Sequence, residues 1–198
     1  MRYFSILMFR YIFIIFFFTS SFAFANNNET IDKLVQKFTS INNLQFNFIQ
    51  KTESTSETGN CFLQYPKKLI CRYDGNEGKE IIIKNNTLAI IKRKYKRVYP
   101  YRVSNSPFTA LLDKEIILTH IQNLQDIENK NNQYVITFAN KNVSTVKLYI
   151  DQTTLNINGW ETTGYDQQKV SFRVLNPQIN VENSEKFEIP NYTNNSGN

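Results

Sequence analysis

The chain has 198 residues, enough for one domain with a short additional segment, and its formal net charge is +6. Two of the 23 basic residues and none of the 17 acidic residues lie in the first 25 positions, so the rest of the chain carries a charge of +4. This excess is far below the basic footprint of a nucleic-acid-binding protein, and we expect no nucleic-acid partner. It is compatible with acidic proteins or anionic lipid headgroups.

Residues 1–25 have the pattern of a secretory signal peptide. Arg2 and Arg10 provide a charged start, an apolar run covers 11–18, and small residues precede a cleavage site after Ala25. A membrane anchor is the alternative, but the uncharged stretch has only 15 residues, fewer than the roughly 20 of a spanning helix. We predict cleavage after Ala25 and a location in the periplasm.

The two cysteines bear on both anchoring and stability. A bacterial lipoprotein carries its lipid on a cysteine directly after the cleavage site, whereas this chain has Asn26 there, so we expect an unanchored, soluble protein. Cys61 and Cys71 each lie five residues from Pro66. A hairpin turn at Pro66 places them opposite each other on adjacent strands, which predicts a disulfide bond. Two reduced core cysteines are the alternative.

The first elements after the leader are a helix and a strand. Apolar residues recur at spacings of three, four and seven over 30–41, which predicts an amphipathic helix. From Leu44 the period changes to two, with Phe46 and Phe48 on the same face, as in a strand. Further predicted strands are 60–65, 69–73, 80–84, 87–92, 97–103, 134–138, 144–150, 156–162, 170–174 and 186–189.

A short helix is predicted over 106–112, where it interrupts the series of strands. Pro107 suits the first position of a helix, and Phe108, Leu111 and Leu112 follow on one face. A short amphipathic piece of this kind fits across the open side of a sheet better than within it. We predict that it forms a lid together with the N-terminal helix.

These elements predict one mainly β domain over 26–190 with a few helices. About ten antiparallel strands and two helices fit a single strongly curved sheet or open barrel, whose interior is either filled with side chains or encloses a ligand cavity. The polar residues 191–198 are expected to form a disordered tail.

Candidates for catalysis are scarce. His120 is the single histidine, so a zinc site built from several histidines is excluded, and no nucleophile-elbow sequence accompanies it. We therefore expect neither an enzyme nor a cofactor. The dense basic run at 92–97 has two interpretations, a solvated hairpin tip or a docking patch for an acidic partner or anionic headgroups.

The order of the motifs resembles the LolA family of outer-membrane lipoprotein carriers. A strand ending in Phe-x-Gln (48–50) follows the first helix, and a hairpin built around a proline comes next (61–73). Two apolar strands joined by an Asn-Asn turn follow (80–90), and then Ser-Pro with apolar residues (106–112). The resemblance spans nearly the whole chain after the leader.

The resemblance implies a mainly β fold with a few helices, an incomplete, strongly curved antiparallel β-barrel whose helical lid encloses an apolar cavity. It also implies a soluble, monomeric periplasmic chaperone that holds lipoprotein acyl chains in that cavity. Such a carrier receives its cargo from an inner-membrane ABC transporter of the LolCDE type and passes it to an outer-membrane receptor of the LolB type. A binding module on the same fold for another lipid or glycolipid is the alternative.

The chain departs from the family at the hairpin. Tyr65 stands where well-studied carriers have an arginine that governs opening, and Leu69 stands where they have a phenylalanine used in cargo transfer. The residues expected to bind or transfer lipid are Phe46, Phe48, Tyr65, Leu69, Pro107, Phe108, Leu111 and Leu112.

Overall fold

The computed structural model describes residues 27–103, 111–139, 145–163 and 168–192. Its elements in chain order are α1 (Asn27–Ser40), β1 (Asn43–Lys51), β2 (Ser56–Gln64), β3 (Lys68–Tyr73), β4 (Lys79–Lys84), β5 (Thr87–Lys92), β6 (Arg97–Arg102), α2 (Lys114–Gln122), β7 (Glu128–Lys130), β8 (Gln133–Ala139), β9 (Thr145–Asp151), β10 (Ile157–Thr163) and β11 (Lys169–Ile179). No helix within these ranges is long and apolar enough to cross a bilayer.

All eleven strands form one antiparallel sheet with the order β6-β5-β4-β3-β2-β1-β11-β10-β9-β8-β7. The chain runs outward from the centre to the β6 edge, crosses to the opposite edge through the segment that contains α2, and returns to the centre. There β11 pairs with β1. The edges β6 and β7 do not pair with each other within the described ranges, so the barrel stays open.

The two faces of the sheet carry separate apolar clusters. Alternate residues of strands from both halves of the sheet join one large inner cluster, which also includes buried side chains of α1 and α2. Strands this far apart in a flat sheet could not contribute side chains to a single cluster, so the sheet curves around it. A smaller outer cluster, including Phe62, Ile70 and Ile82, lies on the opposite face of β2–β5.

The mainly β fold with an open antiparallel sheet and helices is confirmed, and two local predictions need correction. We predicted a short helix over 106–112, of which 106–110 lie outside the described residues. The described helix after β6 is α2, which begins only at Lys114. Leu111 and Leu112 belong to a turn and a bend. The Leu112 carbonyl oxygen accepts a hydrogen bond from the Lys67 amide at 2.9 Å, so it serves the neighbouring hairpin.

The strand predicted at 186–189 is wrong. This stretch has no regular secondary structure. The alternation of Phe187 and Ile189 arises because both side chains pack on the outer cluster, not because the backbone joins a sheet. Tyr192 packs there as well.

The disulfide prediction is confirmed on the β2–β3 hairpin. Cys61 and Cys71 are cross-strand neighbours, and their sulfur atoms are bonded at 2.02 Å. Both side chains are buried in the inner cluster. The bond therefore links the two strands of the hairpin on the inner, apolar face of the sheet.

A charged chain of contacts holds the C-terminal segment 180–192 on the outer face. Arg72 donates two hydrogen bonds to the Glu185 carboxylate, at 2.8 and 2.6 Å. The Arg72 guanidinium also lies 3.6 Å from the carboxylate of Glu80, which pairs with Arg93 at 2.6 Å. The Arg72 contact lowers the pKa of Glu185 below its ordinary value of 4.5.

We expect replacement of both Cys61 and Cys71 by Ala to lower the free energy of unfolding by about 2–3 kcal/mol. The bond closes a loop with a sequence separation of 10, and its loss restores the chain entropy of the unfolded state. Urea unfolding of wild type and variant, each with and without reductant, measures the effect. A reductant-insensitive wild type with the stability of the variant would contradict it.

We expect Glu185→Gln to expose the C-terminal segment to trypsin, with severalfold faster cleavage after Lys186, because the charged contact to Arg72 is lost. Glu188→Gln, at an exposed position of the same segment, is the matched control and should leave the cleavage rate unchanged.

Wild type and Glu185→Gln also test how the attachment of the C-terminal segment depends on pH. The pKa of Glu185 is lowered in the folded protein. The contribution of the ionised Glu185 to stability is therefore fully present above pH 4.5, and it is lost as the pH falls through the lowered pKa. Amide hydrogen exchange in 181–192 should therefore differ between wild type and Glu185→Gln at neutral pH. The difference should disappear in acid; a difference that persists there would refute the assignment.

Candidate functional site

The inner face of the sheet is floored by five aromatic side chains from four strands. Trp160 stacks on Phe172 with ring centroids 4.1 Å apart, and Phe172 stacks on Phe48 at 4.6 Å. Phe46 meets Trp160 edge-on at 6.3 Å, and Phe48 meets Tyr73 edge-on at 5.0 Å. These offset and edge-on arrangements are the favourable ones for aromatic rings. The set forms a continuous apolar surface, here called the aromatic floor.

The floor depends on a glycine between two of its rings. Phe48 and Tyr73 belong to β1 and β3, which are separated by β2, and Gly59 of β2 pairs with both residues. A Cβ atom at Gly59 would lie 2.8 Å from the Phe48 ring and 2.0 Å from the Arg72 carbonyl oxygen. Only glycine lets the two rings meet across the intervening strand.

Helices α1 and α2 pack on the same inner cluster as the floor. Leu34 and Phe38 of α1, together with Ile117 and Ile121 of α2, are completely buried in the inner cluster. The Asp113 carboxylate accepts a hydrogen bond from the Glu115 amide at 3.2 Å and caps α2. The helices thus bury their apolar faces against the sheet.

The two helices are joined to each other at one end. The Lys114 ammonium group donates hydrogen bonds to the carbonyl oxygens of Thr39 and Ile41, each at 3.1 Å, where α1 ends. A cation at this position satisfies carbonyl groups that have no partner within the helix. The contact ties the first turn of α2 to the last turn of α1.

The junction of α1 with β1 is held from the other side by Asn180. Its side-chain oxygen accepts a hydrogen bond from the Asn42 amide at 2.7 Å, and its side-chain nitrogen donates to the Ser40 carbonyl at 2.8 Å. The backbone of Asn180 adopts the left-handed conformation that asparagine tolerates better than most residues. The C-terminal end of α1 is therefore fixed to its surroundings by polar contacts as well as by packing.

The tip of the β2–β3 hairpin meets the crossing segment at the same end. The Lys67 ammonium lies 3.3 Å from the Asp113 carboxylate. The Tyr65 hydroxyl is buried and has no hydrogen-bond partner among the described residues. Burial and the Asp113 charge raise the pKa of Tyr65, so this side chain is a neutral hydroxyl. It occupies the position at which the resemblance implies an arginine.

A small cavity remains between the sheet and the crossing segment. Its volume is about 30 Å³, and every side chain that lines it is apolar. This cavity by itself, as lined by the described residues, has no room for an acyl chain.

Four of the eight residues expected to bind lipid meet at this cavity, namely Phe46, Leu69, Leu111 and Leu112. Phe48 lies beside them in the aromatic floor, and Tyr65 lies at the hairpin tip packed against the same cluster. Pro107 and Phe108 lie outside the described residues. Whether these residues bind lipid stays a prediction.

Sequence reasoning missed Trp160, Phe172 and helix α2. The apolar residues of α2 recur at spacings of one, three and four after the Asp113 cap, and this signal identifies a helix when it is sought. The roles of Trp160 and Phe172 depend on the pairing of β11 with β1, which joins distant parts of the chain.

His120, the single histidine, makes structural contacts beside the inner face. A nitrogen of the His120 ring lies 2.8 Å from the Thr137 carbonyl oxygen, and the ring packs against Phe138 at 4.4 Å. The described ranges contain no group of three His, Cys, Asp or Glu residues placed to hold a metal ion.

Several solved structures are similar to this chain. An uncharacterized conserved protein from Thermus thermophilus has a TM-score of 0.49 at 7% identity, covering 84% of this chain and 95% of that one. A LolA superfamily protein from Nitrosomonas europaea has a TM-score of 0.45 at 7% identity, with coverage of 82% and 97%. A putative outer membrane lipoprotein-sorting protein domain from Vibrio parahaemolyticus has a TM-score of 0.46 at 10% identity, with coverage of 81% and 96%.

Comparison with curated protein sequences gave no match. The model of one family, described as outer membrane lipoprotein carrier protein LolA, matches residues 39–190. The match begins at the end of α1 and extends through the whole sheet to the outer-face segment. The chain therefore belongs to the LolA family.

Proposed function

We propose that this protein is a periplasmic carrier that takes up lipoproteins from the inner membrane through their acyl chains and delivers them to the outer membrane. The observation that carries the proposal is the aromatic floor, a continuous apolar surface in the same inner cluster on which two helices pack. Membership of the LolA family supports the choice of cargo. A transporter of the LolCDE type and a receptor of the LolB type are the partners that the family implies.

The free energies of uptake and closure are of the same order. A 16-carbon acyl chain removed from water gains roughly 12 kcal/mol, at about 0.8 kcal/mol per methylene. Opening the site exposes Leu34, Phe38, Ile117 and Ile121, at a cost of about 2 kcal/mol each. Opening therefore offsets roughly 8 of the roughly 12 kcal/mol gained by burying one chain, which lowers the affinity of the carrier for its cargo. A permanently open cavity would hold the same chain too tightly for transfer.

The contacts at one end of the helices determine how the site opens. Asn180 holds the C-terminal end of α1, so we infer that α1 swings about the residues 40–43, and that the Lys114 contact with the end of α1 breaks when α2 moves away. Lys67 joins the tip of the β2–β3 hairpin to Asp113. When α2 leaves the floor, either the tip moves with it or this ion pair breaks. Tyr65 has no charge with which to form an ion pair there, so opening in this protein is governed by the Lys67 and Lys114 contacts.

We expect the protein without residues 1–25 to form a one-to-one complex with a triacylated lipoprotein released from inner membranes, and not with the same lipoprotein after removal of its acyl chains. Native mass spectrometry measures both. Leu111→Asp places a carboxylate at the cavity wall and should abolish the complex, whereas Ile116→Asp on the exposed side of α2 should retain it.

Thermal unfolding of both variants separates loss of binding from loss of the fold. A complex that forms equally well without acyl chains would refute the proposal. A co-purified phospholipid or glycolipid with no lipoprotein complex would replace it with the alternative cargo on the same fold.

We expect Lys114→Ala to strengthen acyl-chain binding, because the mutation weakens the closed state without removing any apolar contact to the cargo. Loss of the two hydrogen bonds to the end of α1 costs the closed state about 1 kcal/mol, which raises the apparent affinity roughly fivefold. Lys33→Ala, which removes an exposed ion pair with Glu29 on α1, is the control and should change nothing. Equal or weaker binding by Lys114→Ala, measured by titration with a fluorescent triacylated lipopeptide, would contradict the closed-state account.

A further inference from the structure

The β6 edge of the sheet carries dense positive charge. The segment 92–102 contains six basic residues and no acidic one. Lys92 pairs with Glu77 at 3.0 Å, and Arg93 pairs with Glu80 at 2.6 Å. The other four basic side chains are exposed and form no ion pair within the part of the chain that the structure describes: Lys94, Lys96, Arg97 and Arg102.

The same segment exposes aromatic rings. Of the four large hydrophobic side chains that are exposed within the described ranges, three are Tyr95, Tyr99 and Tyr101. The ammonium group of Lys94 lies 5.7 Å from the centre of the Tyr95 ring. Exposed tyrosines interleaved with basic residues are a combination suited to the boundary between water and lipid, where one end of the ring is apolar and the other is hydrated.

Two of these tyrosines continue the inner face of the sheet out to its edge. Ile83, Leu88 and Tyr101 lie side by side on β4, β5 and β6, and their exposed fractions are 0, 7 and 54%. In the next row Ile90, which packs on the inner cluster, lies opposite Tyr99. Directly opposite residues of an antiparallel pair share a face, so an unbroken apolar strip leads from the buried interior to the charged edge.

The composition of the edge favours a lipid surface over a protein partner. Protein interfaces are depleted in lysine, whereas anionic membranes attract lysine and arginine alike. Pro100 lies in the middle of β6 and has no amide hydrogen to donate, which disfavours the addition of a partner strand.

We propose that the segment 92–102 docks this protein on an anionic phospholipid surface, with Tyr99 and Tyr101 forming the path by which acyl chains pass between the bilayer and the inner face. The path rests on the proposed carrier function, whereas the docking does not require it. The four unpaired basic residues suit a reversible attachment to an anionic surface that weakens as salt is added.

The test compares charge reversals at the edge and elsewhere. Lys94→Glu with Arg97→Glu alters the edge, and Lys51→Glu with Arg173→Glu applies the same charge change at exposed positions of the central strands. Binding to vesicles of phosphatidylglycerol and phosphatidylethanolamine, and to vesicles of phosphatidylcholine alone, is measured by flotation at low and high salt. We expect wild type and the central variant to bind the anionic vesicles in a salt-dependent manner and the edge variant to lose at least about tenfold in affinity.

Equal binding by the edge and central variants, or no binding of wild type to anionic vesicles, would overturn the proposal. In the second case, reduced lipoprotein uptake from inner membranes by the edge variant would assign the edge to an acidic protein instead. Binding of a soluble triacylated lipopeptide, measured in parallel without vesicles, tests the carrier function separately. If wild type does not bind the lipopeptide, the carrier function is refuted. If the edge variant still binds it, the substitutions have altered docking alone.

Discussion

The rest of the structure depends on the packing of the two helices against the inner face of the sheet. Four of their side chains are completely buried there: Leu34 and Phe38 of α1, and Ile117 and Ile121 of α2. The space left beneath the crossing segment is about 30 Å³. Without a ligand, this packing is what protects the aromatic floor from solvent. On the proposed function, this packing is given up when a ligand enters. The affinity of the site is therefore a difference between two large apolar terms, and small changes in the contacts of the helices shift it.

The polar contacts are arranged around this packing. Lys114, Asn180 and the Lys67–Asp113 pair lie together at the end of the molecule where α1 ends and α2 begins. The Cys61–Cys71 bond fixes the hairpin that reaches this point, and Gly59 allows the floor to extend across β2. The C-terminal segment is held on the other face by Arg72 and Glu185, remote from the floor. The molecule thus combines a rigid sheet with helices that are fastened at one end.

The sequence was sufficient to predict most of the sheet, because strands such as β1 alternate apolar and polar residues, and the facing cysteines followed from the position of Pro66. The family resemblance points to Leu69, the apolar face of the predicted short helix points to Leu111, and the two lie together at the cavity. Trp160 was not selected, since its neighbours come from strands that are distant in sequence. Phe187 and Ile189 imitate a strand because a segment lying across a sheet also alternates between packed and exposed residues. Local periodicity reports which residues are buried but not what covers them.

The central claim is that acyl chains displace the helices and lie on the aromatic floor. Trp160 is the only tryptophan in the chain and lines the cavity, so its fluorescence reports on that floor alone. The decisive measurement is a titration with a triacylated lipopeptide whose chains carry bromine atoms, which quench tryptophan fluorescence on contact, against the unbrominated lipopeptide. We expect saturable quenching by the brominated compound at one equivalent. Binding of both compounds with no difference in Trp160 fluorescence would place the acyl chains elsewhere and contradict the account.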